Sequence, residues 1–343
     1  MEPVAALREV AFWLERSRAE TRRVKAYRTA ADVVGALEPD RLQELAESDA
    51  WTTLRGIGPK TSAIASAAAA GEVPGYLAQL REDAQPIGAG GEDLCRALRG
   101  DLHTHSDWSD GGSPIPEMAR TARSLGHEYW VLTDHSPRLT VANGLTAERL
   151  RHQLDVLDDL AAEMSSDGGR SMRILSGIEV DILDDGTLDQ EPALLDSLDI
   201  VVASVHSRLR ADSATMTARM VAAVSNPSVD VLGHCTGRLV EGARGTRPES
   251  TFDARAVFEA CRDHGTAVEI NARPERQDPP ERLMELALDV GCLFSIDTDA
   301  HAPGQLDWLG YGCARAAAVG VPPDRIVNTW PVEQLVSWTL RSM

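Results

Sequence analysis

The sequence is short of cysteine, short of positive charge, and free of long apolar runs. Its five cysteines, Cys95, Cys235, Cys261, Cys292 and Cys313, are odd in number and widely spaced, with no CxxC pair. That spacing excludes a disulfide framework and a zinc knuckle, and suits free thiols in a reducing cytosol. No stretch approaches the roughly 18 uninterrupted apolar residues of a membrane span, so no membrane partner is expected. The opening MEPVAALREVAFWLERSRAE carries charges throughout and has no signal-peptide core, which points to a cytoplasmic protein. With 34 Lys and Arg against 53 Asp and Glu, the net charge is −19. A general nucleic-acid coat is excluded on that count, because such binding is mostly phosphate neutralisation by basic side chains.

The length of 343 residues and a hydrophobic content of 43% allow two domains, or one barrel with an extension. The charge is uneven. Residues 1–60 hold ten basic and ten acidic side chains, so the excess acid lies downstream of a neutral N-terminal module.

Residues 1–80 read as helical. VAALREVAFWLERS sets Val4, Leu7, Val10 and Leu14 on one face, and alanine-rich runs follow at 60–70. Between them LRGIGPKTSAIASA carries a Gly-Ile-Gly-Pro turn into a helix, where two glycines permit positive φ and Pro59 suits the first helical turn. Residues 81–99 are polar and glycine-rich and read as a linker. From 100 to 343 short apolar runs alternate with amphipathic stretches. The strands expected are 101–105, 129–134, 173–182, 199–206, 229–234, 267–272 and 293–299. Seven β-then-α units predict an α/β fold with a parallel sheet, closed or nearly closed as a barrel.

Each of these strands ends in polar or ionisable groups: His103 and His105, Asp134 and His135, Glu179, His206, His234, Glu269 and Asn271, Asp299 and His301. In a βα barrel the C-terminal strand ends form the active face. Six of the nine histidines therefore converge with several carboxylates. Imidazole nitrogen with carboxylate oxygen suits Zn, Mn or Fe, and Glu179 could bridge two ions. Adjacent divalent ions activate water for attack at phosphorus. Asp134 could orient the His135 imidazole or simply cap the following loop, and Asp181 shares a face with Glu179 or is a solvated carboxylate at a turn. His127, His152 and His264 lie away from the motifs and read as structural or exposed.

DLHTHSDWSDG, LTDHS, GIEVDI, SVHS, GH, EINARP and DTDAH resemble, in order and spacing, the successive motifs of the PHP (polymerase and histidinol phosphatase) family over residues 100–340. The resemblance implies a distorted (βα)7 TIM-like barrel holding three metal ions. It places His103, His105, Glu179 and Asp299 on the first ion, Glu179, His206 and His234 on the second, and Asp110, His135 and His301 on the third. Within the family the chain is most similar to the C-terminal PHP domain of bacterial family X DNA polymerases, which is associated with 3′–5′ exonuclease activity. Cys235 departs from the pattern, since proline usually follows that histidine.

The N-terminal region resembles the small helical domain of the same polymerases, with LRGIGPKTSAIASA similar to its helix-hairpin-helix. That likeness implies that Gly56, Gly58 and Lys60 meet a DNA phosphate without reading sequence. Arg22, Arg23, Lys25 and Arg28 either add phosphate contacts or form an exposed basic face. The family's Schiff-base lysine falls at Ile64 here, so lyase activity is not expected. Only about forty residues separate hairpin and barrel. They are too few for a nucleotidyl-transferring palm, and no polymerase activity is expected.

Arg208, Arg238 and Arg273 follow three of the strand-end motifs and could hold a substrate phosphate, or serve surface ion pairs. Two catalytic readings follow, an exonuclease acting on DNA ends or a phosphomonoesterase acting on a small phosphorylated substrate such as histidinol phosphate. A DNA-end binding module without catalysis is the alternative from another class.

Overall fold

Apolar residues spaced three and four apart build the N-terminal helices. In the computed structural model, which describes residues 1–242 and 245–340, they are α1 (Pro3–Arg16), α2 (Thr21–Gly35), α3 (Pro39–Ser48), α4 (Pro59–Ala69) and α5 (Gly75–Glu82). Leu7, Val10 and Leu14 of α1 are buried among Tyr27, Val34, Leu45, Trp51, Ile64 and Leu77. Each such side chain stabilises the unit by roughly 1.5–3 kcal/mol. Before α4, Gly56 takes φ +98°, which a Cβ would strain. Gly58 differs from expectation: its φ of −101° is that of an extended N-cap, and its N–H donates to Thr61 Oγ1 at 3.0 Å.

The chain divides into two compact units, Met1–Pro86 and Ile87–Met343. Within 81–99, read from sequence as a linker, α6 (Glu92–Ala97) is helical and buries Leu94. It belongs to the second unit, where Gly91 passes so close to residue 314 that a Cβ would sit 2.4 Å from the Ala314 nitrogen.

The second unit is the βα alternation that the sequence predicts. Strands β1 (Gly100–Asp101), β2 (Tyr129–Leu132), β3 (Arg173–Asp181), β4 (Ile200–Ser204), β5 (Val231–Leu232), β6 (Ala267–Asn271) and β7 (Phe294–Asp297) pair in parallel in chain order. A single bridge, Thr104 to Ala300, nearly closes the sheet into a barrel. Between the strands run α7 (Ile115–Ser124), α8 (Ala147–Ser166), α9 (Pro192–Leu195), α10 (Ser213–Val224), α11 (Ala254–His264) and α12 (Glu281–Val290). The chain finishes with α13 (Leu309–Val319) and α14 (Val332–Thr339). Thr146, Asp212 and Asp253 cap α8, α10 and α11, each side chain accepting from the N3 amide.

Strands β2 and β4 to β7 are buried throughout, as a barrel clad in helices requires. The first strand is shorter than the 101–105 expected from sequence. Its amides leave the ladder for side chains: Leu102 N–H donates to Asp297 Oδ1 at 2.9 Å, Thr104 N–H to Thr133 Oγ1 at 3.0 Å, and Ser106 N–H to Asp134 Oδ1 at 2.8 Å. His103 and His105 thus lie just beyond the ladder, at the mouth of the barrel.

Candidate metal centre

Glu179, near the end of β3, is the hub of the site. Its Oε1 lies 2.9 Å from His234 Nε2 and 3.2 Å from His206 Nε2. Its Oε2 lies 2.8 Å from His135 Nδ1, 3.3 Å from His103 Nε2 and 3.5 Å from His105 Nε2. Asp299 Oδ1 stands 3.4 Å from His105 Nε2 on the other side. Asp110 Oδ1 lies 3.2 Å from His301 Nε2 and 3.4 Å from His135 Nε2. All nine residues singled out in the sequence therefore surround one volume.

The donor atoms form three overlapping groups, His103–His105–Glu179, His135–Glu179–His206 and His105–Asp110–His135–His301, each spanning no more than 4.8 Å. This geometry shares residues more widely than the sets implied by resemblance: His105 also joins the outer group, and His135 faces Glu179 as well as Asp110.

The chemistry of the donors fits divalent ions. Both Glu179 oxygens and the Nε2 atoms of His103, His105, His206 and His234 are buried without a hydrogen-bond partner. An orphaned buried polar atom costs about 1–3 kcal/mol, a cost that a cation held among these five residues would remove. Burial alone would raise the Glu179 pKa. The imidazoles of His135, His206 and His103 outweigh it and hold the carboxyl well below the usual range. At Asp299, burial is likewise overcome by the Arg276 and Arg273 guanidiniums. Asp299 also takes φ +51°, a strained conformation of the kind that clusters at functional sites.

Several neighbours hold the ligands in place, and not all in the way the sequence suggests. Asp134 does not serve the His135 ring. Its carboxylate instead accepts from Ser106 N–H, the Ser106 and Ser109 hydroxyls and Gln153 Nε2, so it braces the loop that carries Asp110. Gln153 is the one polar member of the buried stripe Leu150, Leu157, Leu160 and Met164 on α8, and that break in the stripe was its sequence signal. Asp181, buried rather than solvated, accepts from His206 Nδ1. Asn271 Nδ2 reaches Glu269 Oε2 at 3.2 Å and Asp299 Oδ2 at 3.3 Å.

Arg276, which carried no signal in the sequence, donates to Asp299 Oδ2 at 2.8 Å. Among the predicted phosphate ligands, Arg208 is exposed and pairs with Asp184 at 2.9 Å. Arg273 Nη1 lies 2.9 Å from both Asp299 O and His301 Nδ1. Arg238 takes part in an ion pair with Glu249, one of the two roles expected for it. Its guanidinium spans to the carbonyls of Arg276 and Gln277 and to Glu249, which makes it a clamp between loops.

Cys235, the departure from the family pattern, is buried, and its thiol is pushed well up by burial and by Asp278. Of the remaining histidines, His127 is buried and His152 lies edge-on to Trp108 at 5.2 Å.

The N-terminal unit has a cavity of its own, of about 820 Å³, lined by Arg22, Arg23, Lys60, Tyr27, Ile64 and Tyr76, among others. Arg23 hydrogen-bonds the Tyr76 hydroxyl and lies 5.5 Å above its ring. The turn glycines Gly56 and Gly58 lead to Lys60 at the start of α4. Arg28 is not part of this face. It is tied to Glu15 by two bonds of 2.8 and 2.7 Å between α2 and α1.

Residues 101–273 match the PHP domain, and residues 1–70 match a helix-hairpin-helix domain. The DNA polymerase/3′-5′ exonuclease PolX of Bacillus subtilis is 38% identical over 245 residues, which cover 71% of this chain and 41% of that protein. The chain thus spans well under half the length of that relative. The probable phosphatase YcdX of Escherichia coli is 27% identical over 67% of this chain and 90% of its own. The crystal structure of a histidinol phosphate phosphatase from Lactococcus lactis, complexed with zinc, L-histidinol and phosphate, superposes with a TM-score of 0.48 at 18% identity, covering 65% of this chain and 94% of that one. The chain belongs to the PHP domain family, and the enzyme class is that of a metal-dependent phosphoester hydrolase. No helix among the described residues is long and apolar enough to cross a membrane.

Proposed function

We propose that the chain hydrolyses phosphodiester bonds at DNA ends, as a 3′–5′ exonuclease or a related end-processing enzyme, with three divalent ions of Zn, Mn or Fe. The observation that carries this reading is the presence in one chain of the converging cluster and of a helix-hairpin-helix unit whose cavity is edged by Arg22, Arg23 and Lys60. That relatives include a 3′-5′ exonuclease supports it.

His103, His105, Glu179 and Asp299 would hold one ion, Glu179, His206 and His234 a second, and Asp110, His135 and His301 a third. Bound there, the ions would activate water at neutral pH and offset the charge of the phosphate oxygens. The chain's own residues do the rest. Glu179 sets the spacing of the ligand groups by offering one oxygen to each side. Arg273 presents a guanidinium beside His301, where charge-assisted bonds could fix a phosphate. Arg208, exposed at the rim, can reach a longer substrate. Gly56, Gly58 and Lys60 hold the DNA backbone without reading its sequence.

A phosphomonoesterase acting on a small phosphorylated substrate is the second reading. It is favoured by the YcdX match, which extends over nearly all of that phosphatase, and by the acidity of the barrel unit. The test is incubation with Mn²⁺ and a 5′-labelled single strand, beside histidinol phosphate and a chromogenic monoester. Laddered nucleotide release, abolished in His103→Ala, is expected. Phosphate release from the monoesters alone would overturn the exonuclease reading in favour of the second.

A further inference from the structure

Glu269 of β6 is fully buried, and it has no place in the ligand set above. Its Oε1 lies 2.6 Å from His103 Nδ1, and its Oε2 accepts the backbone N–H of His234. Asn271 Nδ2 adds a third donor at 3.2 Å on Oε2. In the sheet, β6 pairs with β5 and β7, and β1 pairs with β2. Glu269 therefore reaches across the barrel interior to β1, joining ligand-bearing segments that no ladder joins.

We propose that Glu269 is the positioning residue of the metal centre, fixing His103 as the tautomer that ligates through Nε2 while anchoring His234 by its main chain. This rests on the reading of the cluster as a metal site. A carboxylate only accepts hydrogen bonds, so His103 Nδ1 carries the proton, and in the neutral ring Nε2 then has the lone pair. That lone pair is the buried, unpartnered atom facing Glu179 Oε2 at 3.3 Å. The contrast with its neighbours is informative. His105 and His234 leave Nδ1 buried without a hydrogen-bond partner, so nothing comparable selects their tautomer. Among the imidazoles that turn Nε2 toward Glu179, His103 and His206 have a separate carboxylate at Nδ1, and Asp181 plays that part for His206. Of the two, the Glu269 pair is wholly enclosed, whereas the His206 side chain is 13% exposed.

Glu269→Gln separates this role from simple packing. The amide keeps the shape but offers one acceptor and one donor where three donors converge, so at least one contact is always opposed. Metal-stripped parent and variant are titrated with Mn²⁺ and with Zn²⁺ by calorimetry, and histidine-labelled protein is followed by ¹⁵N NMR of the rings. Expected are a fall in metal affinity of about 10–100-fold, loss of the Nδ1–H signature of His103, and an unchanged far-UV spectrum. Should Glu269→Gln fail to fold, Glu269→Asp keeps an acceptor-only group and is expected to bind metal with intermediate affinity. Affinity within threefold of the parent, with the His103 signature intact, would overturn the proposal, as would a lowered Tm with unchanged metal binding. A parent that binds no metal would overturn the cluster reading itself, which is a separate outcome.

Discussion

His127 shows what burial does to a histidine that holds no ligand position. It follows α7, is enclosed, and leaves Nδ1 without a hydrogen-bond partner. Burial, helped by the Arg170 charge, lowers its pKa from 6.5 to about 4. The unfolded chain takes up a proton below about pH 6.5 that the native state refuses until about pH 4. Stability tied to this ring is thus intact above pH 6.5 and drains away as the pH falls to 4, reaching about 3 kcal/mol at the low end. His127→Leu removes the ring. Between pH 7 and pH 5 its urea-derived stability should fall by about 2 kcal/mol less than that of the parent; equal losses would show that His127 does not carry the effect. The ligand histidines differ from this one in having carboxylates around them, and that is a matter of placement.

At the scale of elements, the loop after β1 does much of that placing. Asp110 reaches His135 and His301 only because Ser106 and Ser109 are pinned to Asp134, and Asp134 in turn to Gln153 of α8. Gly111 lets the loop fold back on itself, since a Cβ there would lie 2.6 Å from the Ser106 carbonyl carbon and oxygen. Backbone atoms cannot yield as a flexible side-chain tip can. Gly111→Ala should therefore displace Asp110, with a cost of about 1–3 kcal/mol in stability. Metal content measured by mass spectrometry is expected to drop by one ion per chain while the remainder stays. Full metal content in the variant would show that the loop tolerates the change without moving Asp110.

For the whole molecule, the proposed ligands come from β3 and from the segments following β1, β2, β4, β5 and β7, so ions bound there would tie the barrel together. The N-terminal unit has its own core, made from residues of that unit alone. Binding to the native state stabilises by about 4 kcal/mol at a thousandfold excess over Kd. In a unit of this size that corresponds to a Tm shift on the order of 10 °C. Calorimetry with and without a chelator should show the barrel transition falling by that amount and the transition of the N-terminal unit unmoved. A chelator that shifts neither transition would argue against ions holding the strands.

The sequence by itself determined the alternation of strands and helices, the Gly-Ile-Gly-Pro turn and the identity of the donor residues at the strand ends. Those features are local: periodicity, turn chemistry and the i, i+2 spacing of His103 and His105 are fixed by the backbone around each residue. What only the tertiary structure decided is which residue faces which across the barrel. Asp134 and His135 are adjacent in sequence, yet the Asp134 carboxylate turns to Ser106, Ser109 and Gln153. Arg238 and Arg273 both follow strand-end motifs, yet one clamps loops and the other meets His301. Glu269 lies 166 residues from His103 and meets it at 2.6 Å. Spacing along a strand tells which side a residue takes, but the partner on that side belongs to another strand, and closure of the sheet brings the two together.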